Sequence, residues 1–540
     1  MQKNDNIELE ITGMTADGSG IGRYEGMAVF VPGTASGDRV TAHILKVKKN
    51  CAYAKLIDVL TPSTDRGEPD CDVFSRCGGC VYRHISYAAE CREKTEKVRA
   101  AMNRIGGISL EPQPIISAVK TGGYRNKAQY PVGADGEIGF YAVHSHRIIN
   151  CNACRLQPEI FDKIIFACRE WINDYRITAY NGETRRGLLR HIYIRIAEKT
   201  GEIMFTAVIN GKKLPFSEEL ILKLKVVCKD ALKSVQININ RENTNVILGN
   251  KCVVLYGEPY ITDVLCGLKI RLSPLSFYQV NRDMAELLYK KAAEYAKPDG
   301  KNIVDLYCGA GTIGLSMAAS AKSVVGVEIV SEAVEDARFN ANANNIKNAR
   351  FICADAAEAA ERLALEGLRP DVVIIDPPRK GCQPELIDII ATRFSPERVV
   401  YVSCDPATLA RDAARFAEKG YELCEYTPVD LFPRTAHIET VVQLVRKKPD
   451  TYIDITVDMD ELDLTSSEAK ATYDEIKDYI FDKHCVKVSS LYIAQVKQKH
   501  GIIERDCYNN SKKDNPKQPQ CPPEKAKLIE EALRYFKMIL

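Results

Sequence analysis

The chain has 540 residues, 45% hydrophobic and 27% charged, with a formal net charge of +2. That length suggests about three or four domains, and the near-neutral balance excludes a global basic field, so any nucleic-acid contact must rest on local patches. No apolar run reaches about 18 residues, so no membrane span is expected, and Met1 to Asn6 lacks the apolar core of a secretory signal. A cytoplasmic protein is therefore expected. Some of its 19 cysteines are read as metal-binding or catalytic, and most of the rest as small buried hydrophobes rather than a disulfide framework.

Residues 1–60 read as all-β. "IELEITGMT", "GMAVFVPG", "DRVTAHILKVKKN" and "CAYAKLIDVL" are β-rich runs separated by Gly and Asp turns. Roughly four or five short strands suit a small OB-like barrel, a common nucleic-acid platform. Lys46, Lys48 and Lys49 form either an RNA-facing edge or a solvated lysine strand.

Residues 61–274 are expected to form a central α+β domain. "TPSTDRGEPD" is a linker, "CDVFSRCGGCVYRHISYAAEC" a cysteine cluster followed by helix to about Arg104, and "RHIYIRIAEKTGEIMFTAVIN" a hairpin. Residues 275–447 then alternate helix and strand, which predicts a Rossmann-like, doubly wound, mostly parallel sheet. Its ligands should lie at the carboxyl ends of the strands.

After Lys447 the chain turns acidic and then helical, a small extension over 448–540. Thr465 and Glu468 have capping-box spacing and predict a helix start at Thr465. "SSLYIAQVKQKHG" predicts a second helix, "NNSKKDNPKQPQCPP" a linker and "EKAKLIEEALRYFKMI" a final amphipathic helix. This extension is either an RNA-binding module using Lys487, Lys497, Lys499 and Lys512 to Lys517, or a packing or docking appendage. No internal repeat is evident.

The chemistry concentrates in 275–447. "VDLYCGAGTIGL" follows a predicted strand and opens a helix, so Gly309, Gly311 and Gly314 match G-x-G-x-x-G. Nicotinamide enzymes share this signal. Asp305 before the turn, placed to meet a positively charged amino-acid end, and Glu328 after the next strand, placed for ribose hydroxyls, favour S-adenosylmethionine. "VVIIDPPRKG" sets Asp376 at a strand end, held by two prolines. "VVYVSCDPATLARD" places Cys404 between a buried strand and a helix. A thiol there is expected to have a lowered pKa, with Arg411 or Arg434 assisting. "RTAHIETVVQL" offers Glu439, with His437 as a rival.

A thiolate, an acid and a methyl donor fit one reaction. Carbon 5 of uracil is a poor nucleophile until a thiolate adds at carbon 6. The adduct must then lose its carbon 5 proton to a general base. Cys404 and Glu439 are the candidates for these two roles.

These segments resemble the RNA uracil-5-methyltransferase family, in its branch acting on 23S ribosomal RNA. "SCDPATLARD" is similar to the family's nucleophile motif and "HIETVVQL" to its general-base motif. The N-terminal region resembles a TRAM domain, and the similarity runs to about Lys447. "SPLSFYQVN" resembles the segment that brings a Gln, here Gln279, to the cofactor. The resemblance also implies that Tyr307, Glu328 and Asp376 contact the cofactor or cleft, with Gly309 in the turn, and that Phe277 stacks on a base. Asp405 stands where the family commonly has Asn, which makes the loop more acidic.

Cys71, Cys77 and Cys80 form C-x5-C-x2-C, and Cys154 lies in "CNACRLQ". Four thiolates suit zinc or an iron–sulfur cluster, and spacing alone favours zinc. The resemblance implies instead a [4Fe–4S] cluster on Cys71, Cys77, Cys80 and Cys154, with Cys151 the main rival to Cys154. The cluster is expected to be structural or to shape an RNA-binding surface. Relatives acting on tRNA are expected to lack both barrel and cluster, so 23S rRNA is the expected partner of a monomeric enzyme and tRNA the alternative. A dehydrogenase, an exocyclic-amine methyltransferase and a non-catalytic RNA-binding iron–sulfur protein are the rivals. Each leaves Cys404 or Glu439 without a task.

Overall fold

The computed structural model describes residues 1–134, 136–447, 471–502 and 520–539. The chain divides into two compact units, Met1–Lys448 and Pro449–Leu540.

The first unit begins with five strands, β1 (Asn6–Met14), β2 (Gly20–Tyr24), β3 (Met27–Val31), β4 (Arg39–Val47) and β5 (Cys51–Thr61). They close as a barrel in the order β1-β2-β3-β5-β4. The alternation legible in "IELEI" is realised. Ile7, Leu9 and Ile11 point inward against Val29, Val40 and Ile44, and the intervening residues face solvent. Lys46, Lys48 and Lys49 are exposed, with the Lys48 ammonium 5.0 Å from the centre of the Tyr53 ring.

Helix α1 (Tyr87–Arg104) follows, capped by the Ser86 side chain accepting from the Ala89 N–H. By chain order α1 sits in the central region. Its Val98 and Met102 nevertheless pack with Leu409 and Ala410 of the C-terminal α/β layer. The central region proper contains β6 (Lys127–Pro131), β7 (Gly139–Tyr141), β8 (Ile148–Asn150), α2 (Glu159–Asp174), β9 (Leu189–Ile196), β10 (Ile203–Ile209), α3 (Ser217–Cys228), β11 (Leu232–Ile239) and β12 (Lys251–Gly257). Five of its strands form a sheet in the order β12-β11-β10-β9-β6, and β7 and β8 make a separate hairpin. The predicted hairpin is the antiparallel β9–β10 pair.

After the hairpin β13 (Ile261–Leu265) and β14 (Leu268–Leu272) come α4 (Arg282–Ala296), β15 (Asn302–Leu306), α5 (Thr312–Met317), β16 (Ser323–Glu328), α6 (Ser331–Ala343), β17 (Ala349–Cys353), α7 (Ala356–Leu365), β18 (Val372–Ile375), α8 (Pro384–Asp388), β19 (Arg398–Ser403), α9 (Pro406–Glu418), β20 (Tyr421–Val429) and β21 (Glu439–Arg446). The sheet order is β17-β16-β15-β18-β19-β21-β20. It is the expected doubly wound sheet. Strands β15 to β19 are parallel, and β21 runs antiparallel to β19. The order reverses between β15 and β18, and a crevice opens at such a switch point. Because β21 is antiparallel, its first residue, Glu439, lies at the same end of the sheet as the carboxyl ends of β15, β16, β18 and β19.

The second unit packs α10 (Tyr473–His484), α11 (Ser490–Lys499) and α12 (Pro523–Tyr535) around Ile476, Ile480, Ile493, Val496, Ile529 and Leu533. Among the described residues the first helix of this unit starts at Tyr473, where Thr472 and Glu475 form a capping box. Thr465, Glu468 and Lys512 to Lys517 lie outside the described residues. Of the other lysines expected to grip RNA, Lys497 is buried over the Tyr473 ring and Lys499 is paired with Glu530. Among the described residues no helix is long and apolar enough to cross a membrane.

Candidate active site and cysteine recess

The switch-point crevice is a cleft of about 910 Å³ lined by Gln279, Tyr307, Gly309, Glu328, Asp376, Cys404 and Glu439, with Phe277, Arg379 and His437. Seven residues chosen from six separate sequence segments therefore share one cavity. Phe277 is 61% exposed, which leaves its ring free to stack.

The glycine turn forms the cofactor side. Tyr307, Gly309 and Gly311 all have positive φ, at 64°, 54° and 78°. A Cβ on Gly311 would come within 2.8 Å of the Phe351 ring, whereas one on Gly309 would meet no atom within 4 Å. The backbone at Gly309 is thus open to close approach by a ligand. Glu328 steadies this turn by accepting from the Gly309 N–H at 3.0 Å and from the Val330 N–H at 2.9 Å.

Asp305 departs from expectation. It is 1% exposed, and the structure does not bring it into the cleft. Its Oδ2 accepts the Gly314 N–H at 2.9 Å, bracing the turn from behind, while Oδ1 has no partner. Burial, with Asp376 and Glu328 nearby, pushes its carboxyl up to about 7. In this position it braces the glycine loop.

On the opposite side Cys404 directly follows β19 and Glu439 begins β21. Glu439 is 4% exposed, and burial with the neighbouring Asp376 raises its carboxyl well above the usual range, opposed by Arg379. Burial pushes Asp376 up to about 7. The Cys404 thiol was expected to be acidified by the helix that follows. Instead it is pushed up to about 11 by burial and then by Glu439 and Asp376, with Arg379 opposing. The helix that follows does not offset this, because its N-terminus is already capped by Asp405. Its carboxylate accepts the Ala407 and Thr408 N–H groups at 2.9 and 3.0 Å, so the helix N-terminus is satisfied by its own cap.

Neither arginine named from sequence assists the thiol. Arg411 bonds Asp412 and the Lys380 carbonyl. Arg434 bonds the Ile85 carbonyl at 3.0 Å and lies 3.5 Å from Glu90. The cation facing Cys404 and Glu439 is Arg379, which sequence reasoning passed over although it directly follows the Asp-Pro-Pro turn. Its Nη2 lies 3.4 Å from His437 Nδ1. Burial and the surrounding cations lower His437 to about 4, so it is neutral near pH 7 and accepts from Arg379.

The loop leading to Glu439 is clamped from α1. Lys94, fully buried, donates to Glu90 at 2.8 Å, to Asp430 at 2.7 Å and to the Phe432 carbonyl at 3.1 Å. Lys97 donates to the Ala436 carbonyl at 2.8 Å and to the barrel's Ala16 carbonyl at 2.9 Å. The Tyr124 hydroxyl donates to the Pro433 carbonyl at 2.9 Å.

Elsewhere Cys71, Cys77, Cys80 and Cys154 line one small recess together with Cys151. The Gly79 N–H donates to Cys77 Sγ at 3.4 Å and Arg83 Nε to Cys80 Sγ at 3.3 Å. As they stand these thiols do not converge on one point: among the described residues no group of three or more His, Cys, Asp or Glu side chains is arranged to hold a metal ion. Arg125 lines both this recess and the cleft.

A family model described as tRNA (Uracil-5-)-methyltransferase matches residues 250–447, and a TRAM domain model matches residues 2–57. An uncharacterized RNA methyltransferase of Clostridium tetani is 44% identical over 446 residues, covering 82% of this chain and 96% of its own length. One from Halalkalibacterium halodurans is 42% identical over 452 residues, covering 83% and 98%. Among solved structures, the Pyrococcus abyssi tRNA (uracil-54, C5)-methyltransferase in complex with S-adenosyl-L-homocysteine superposes with a TM-score of 0.68 at 27% identity, covering 81% of this chain and 99% of that one. That share is too large for the methyltransferase layer alone, so the extent of the fold does not by itself separate this chain from a tRNA-acting relative. With a TRAM domain at its N-terminus and the family's cleft at its C-terminal sheet, the chain belongs to the RNA uracil-5-methyltransferase family.

Proposed function

We propose that the protein methylates carbon 5 of a uridine in 23S rRNA, with Cys404 as nucleophile and Glu439 as general base. The observation that carries this reading is the meeting of Cys404 from β19, Glu439 from β21 and the glycine turn after β15 in one cleft. Bound S-adenosylmethionine supplies the methyl group. Gly309, Tyr307 and Glu328 form its side of the cleft, with Gln279 and Asp376 adjoining.

Cys404 adds as thiolate to carbon 6, and the electron pair of the carbon 5–carbon 6 double bond moves toward the carbon 4 oxygen. Carbon 5 thereby becomes the nucleophile. Because the thiol is held protonated, it must give its proton to solvent as substrate enters, and Arg379 is the cation placed to stabilise the resulting thiolate. After methylation Glu439, as carboxylate, removes the carbon 5 proton. The double bond re-forms and the thiolate leaves. Asp376 keeps Glu439 basic. His437 holds Arg379 rather than serving as the base.

A [4Fe–4S] cluster on Cys71, Cys77, Cys80 and Cys154 is part of the same proposal. It rests on the four cysteines lining one recess with N–H donors aimed at two of them, a pattern suited to thiolate ligands, and it requires the sulfurs to draw together from their present positions. A second reading, methylation of tRNA, is favoured by the Pyrococcus abyssi enzyme, which acts on tRNA. Incubation with S-adenosylmethionine and unmodified 23S rRNA or tRNA transcripts, followed by nucleoside mass analysis, tests both. Formation of 5-methyluridine in rRNA supports the first reading and in tRNA the second. A methylated adenine or cytosine would overturn both.

A further inference from the structure

A groove of about 1010 Å³ opens on the central region, between the β7–β8 hairpin, the ends of β6 and β9, and the turns around 181 and 245. Its floor carries Arg190, 8% exposed. Arg190 Nη1 donates to the Asn240 and Glu242 carbonyls at 3.0 and 2.8 Å, and its guanidinium lies over the Tyr180 ring at 4.5 Å. Among the described residues Arg190 has no carboxylate partner, and its Nε has no acceptor. Buried cations are ordinarily paired, because desolvation without a counter-charge is costly. A fixed, unneutralised guanidinium at the bottom of a polar groove is therefore built to receive an anion, and its planar fork matches a phosphate.

The wall offers a different chemistry. Tyr141 is 39% exposed, His146 meets it edge-on at 5.9 Å, and Arg147 lies beside them on the lining. Aromatic faces next to cations are the usual platform for unpaired bases. Glu183 stands on the rim, with Arg185 and Arg186 exposed in the same turn. The wall is also tied to the cysteine recess. The Gly78 N–H donates to the Tyr141 carbonyl at 3.0 Å, Cys77 bridges Ala142, and Cys151 follows directly on β8.

We propose that this groove binds an unpaired stretch of the RNA substrate, a phosphate on Arg190 and a base against Tyr141 and His146, and that the cysteine recess fixes the wall that holds it. The inference rests on the RNA-methyltransferase reading and deepens it. It is tested with the full chain by fluorescence anisotropy of a labelled oligouridine across a salt series, beside steady-state methylation. Combining Tyr141→Ala with Arg147→Gln weakens oligouridine binding about tenfold and raises KM for RNA with kcat unchanged. Arg190→Gln flattens the slope of log affinity against log salt by about 0.7. Unchanged affinity in the Tyr141/Arg147 variant overturns the proposal. So does displacement of the oligouridine by uridine 5′-monophosphate at comparable concentration, which would make this a free-nucleotide site. Oligouridine binding is read without turnover, so failure to form 5-methyluridine would remove the enzymatic reading while this test still decides the groove.

Discussion

The molecule sets thiols in two different surroundings. In the cleft, Cys404 is flanked by carboxyls, with burial, Glu439 and Asp376 raising its pKa and Arg379 opposing them. In the recess, Cys71, Cys77, Cys80 and Cys154 stand together, with N–H groups of Gly79 and Arg83 directed at two sulfurs. The difference teaches that a cysteine's task follows from what faces it. A lone thiol kept protonated until a substrate arrives is suited to reversible covalent work, and a group of thiols met by donors is suited to holding a fixed group.

The comparison breaks first at the nucleophile. Cys404→Ala should lower methylation by on the order of 10⁴-fold or more while leaving S-adenosylhomocysteine affinity, measured by calorimetry, unchanged. Cys80→Ser should leave residual turnover; equal losses in the two variants would erase the distinction. Glu439→Gln comes next, with turnover reduced about 10²- to 10⁴-fold and a methylated covalent protein–RNA adduct accumulating on denaturing gels. Free turnover by that variant would take the base role from Glu439.

The clamp behind the cleft gives a stability effect. Lys94→Met removes the cation that the buried Glu90 and Asp430 share, leaving Glu90 only Arg434 at 3.5 Å, and should cost about 3–5 kcal/mol in denaturant unfolding. An unchanged midpoint would show that the triad is dispensable.

A smaller effect concerns pH. Cys404 and Glu439 act only when deprotonated, and both have raised pKa values, so the single-turnover rate should rise with pH and be lost as pH falls. Arg379 opposes both upward shifts. Arg379→Met should therefore move the pH–rate profile to higher pH and lower the rate about tenfold near neutrality; a profile displaced to lower pH would contradict its assignment. The smallest effect is at Asp405, where Asn can still cap α9 and should behave nearly as wild type, whereas Ala should cost about 1 kcal/mol in stability.

Much of this was legible in the sequence because its signals are local. A strand leading into the glycine turn, a strand ending in Asp-Pro-Pro and a strand ending at Cys404 each announce themselves within about a dozen residues. What stayed hidden depends on distant partners. Lys94 meets Asp430 across 336 positions of sequence, so no window reveals that α1 clamps the loop before Glu439. The Cys404 shift is hidden because it comes from burial and from Glu439 and Asp376, which only the fold brings to it, while the helix N-terminus visible in the sequence is filled by Asp405. Asp305 was assigned to the ligand because a carboxylate before a glycine turn has two possible targets, and only packing shows that it serves the Gly314 amide.

The central claim is a bond between Cys404 and uracil carbon 6, and 5-fluorouridine-substituted 23S rRNA tests it directly. A fluorine on carbon 5 cannot leave as a proton does, so the adduct should persist after methyl transfer. Digestion and peptide mass analysis should then find a methylated fluorouridine on the peptide containing Cys404. No adduct under conditions where unsubstituted rRNA is methylated, or an adduct on another cysteine, would contradict the account.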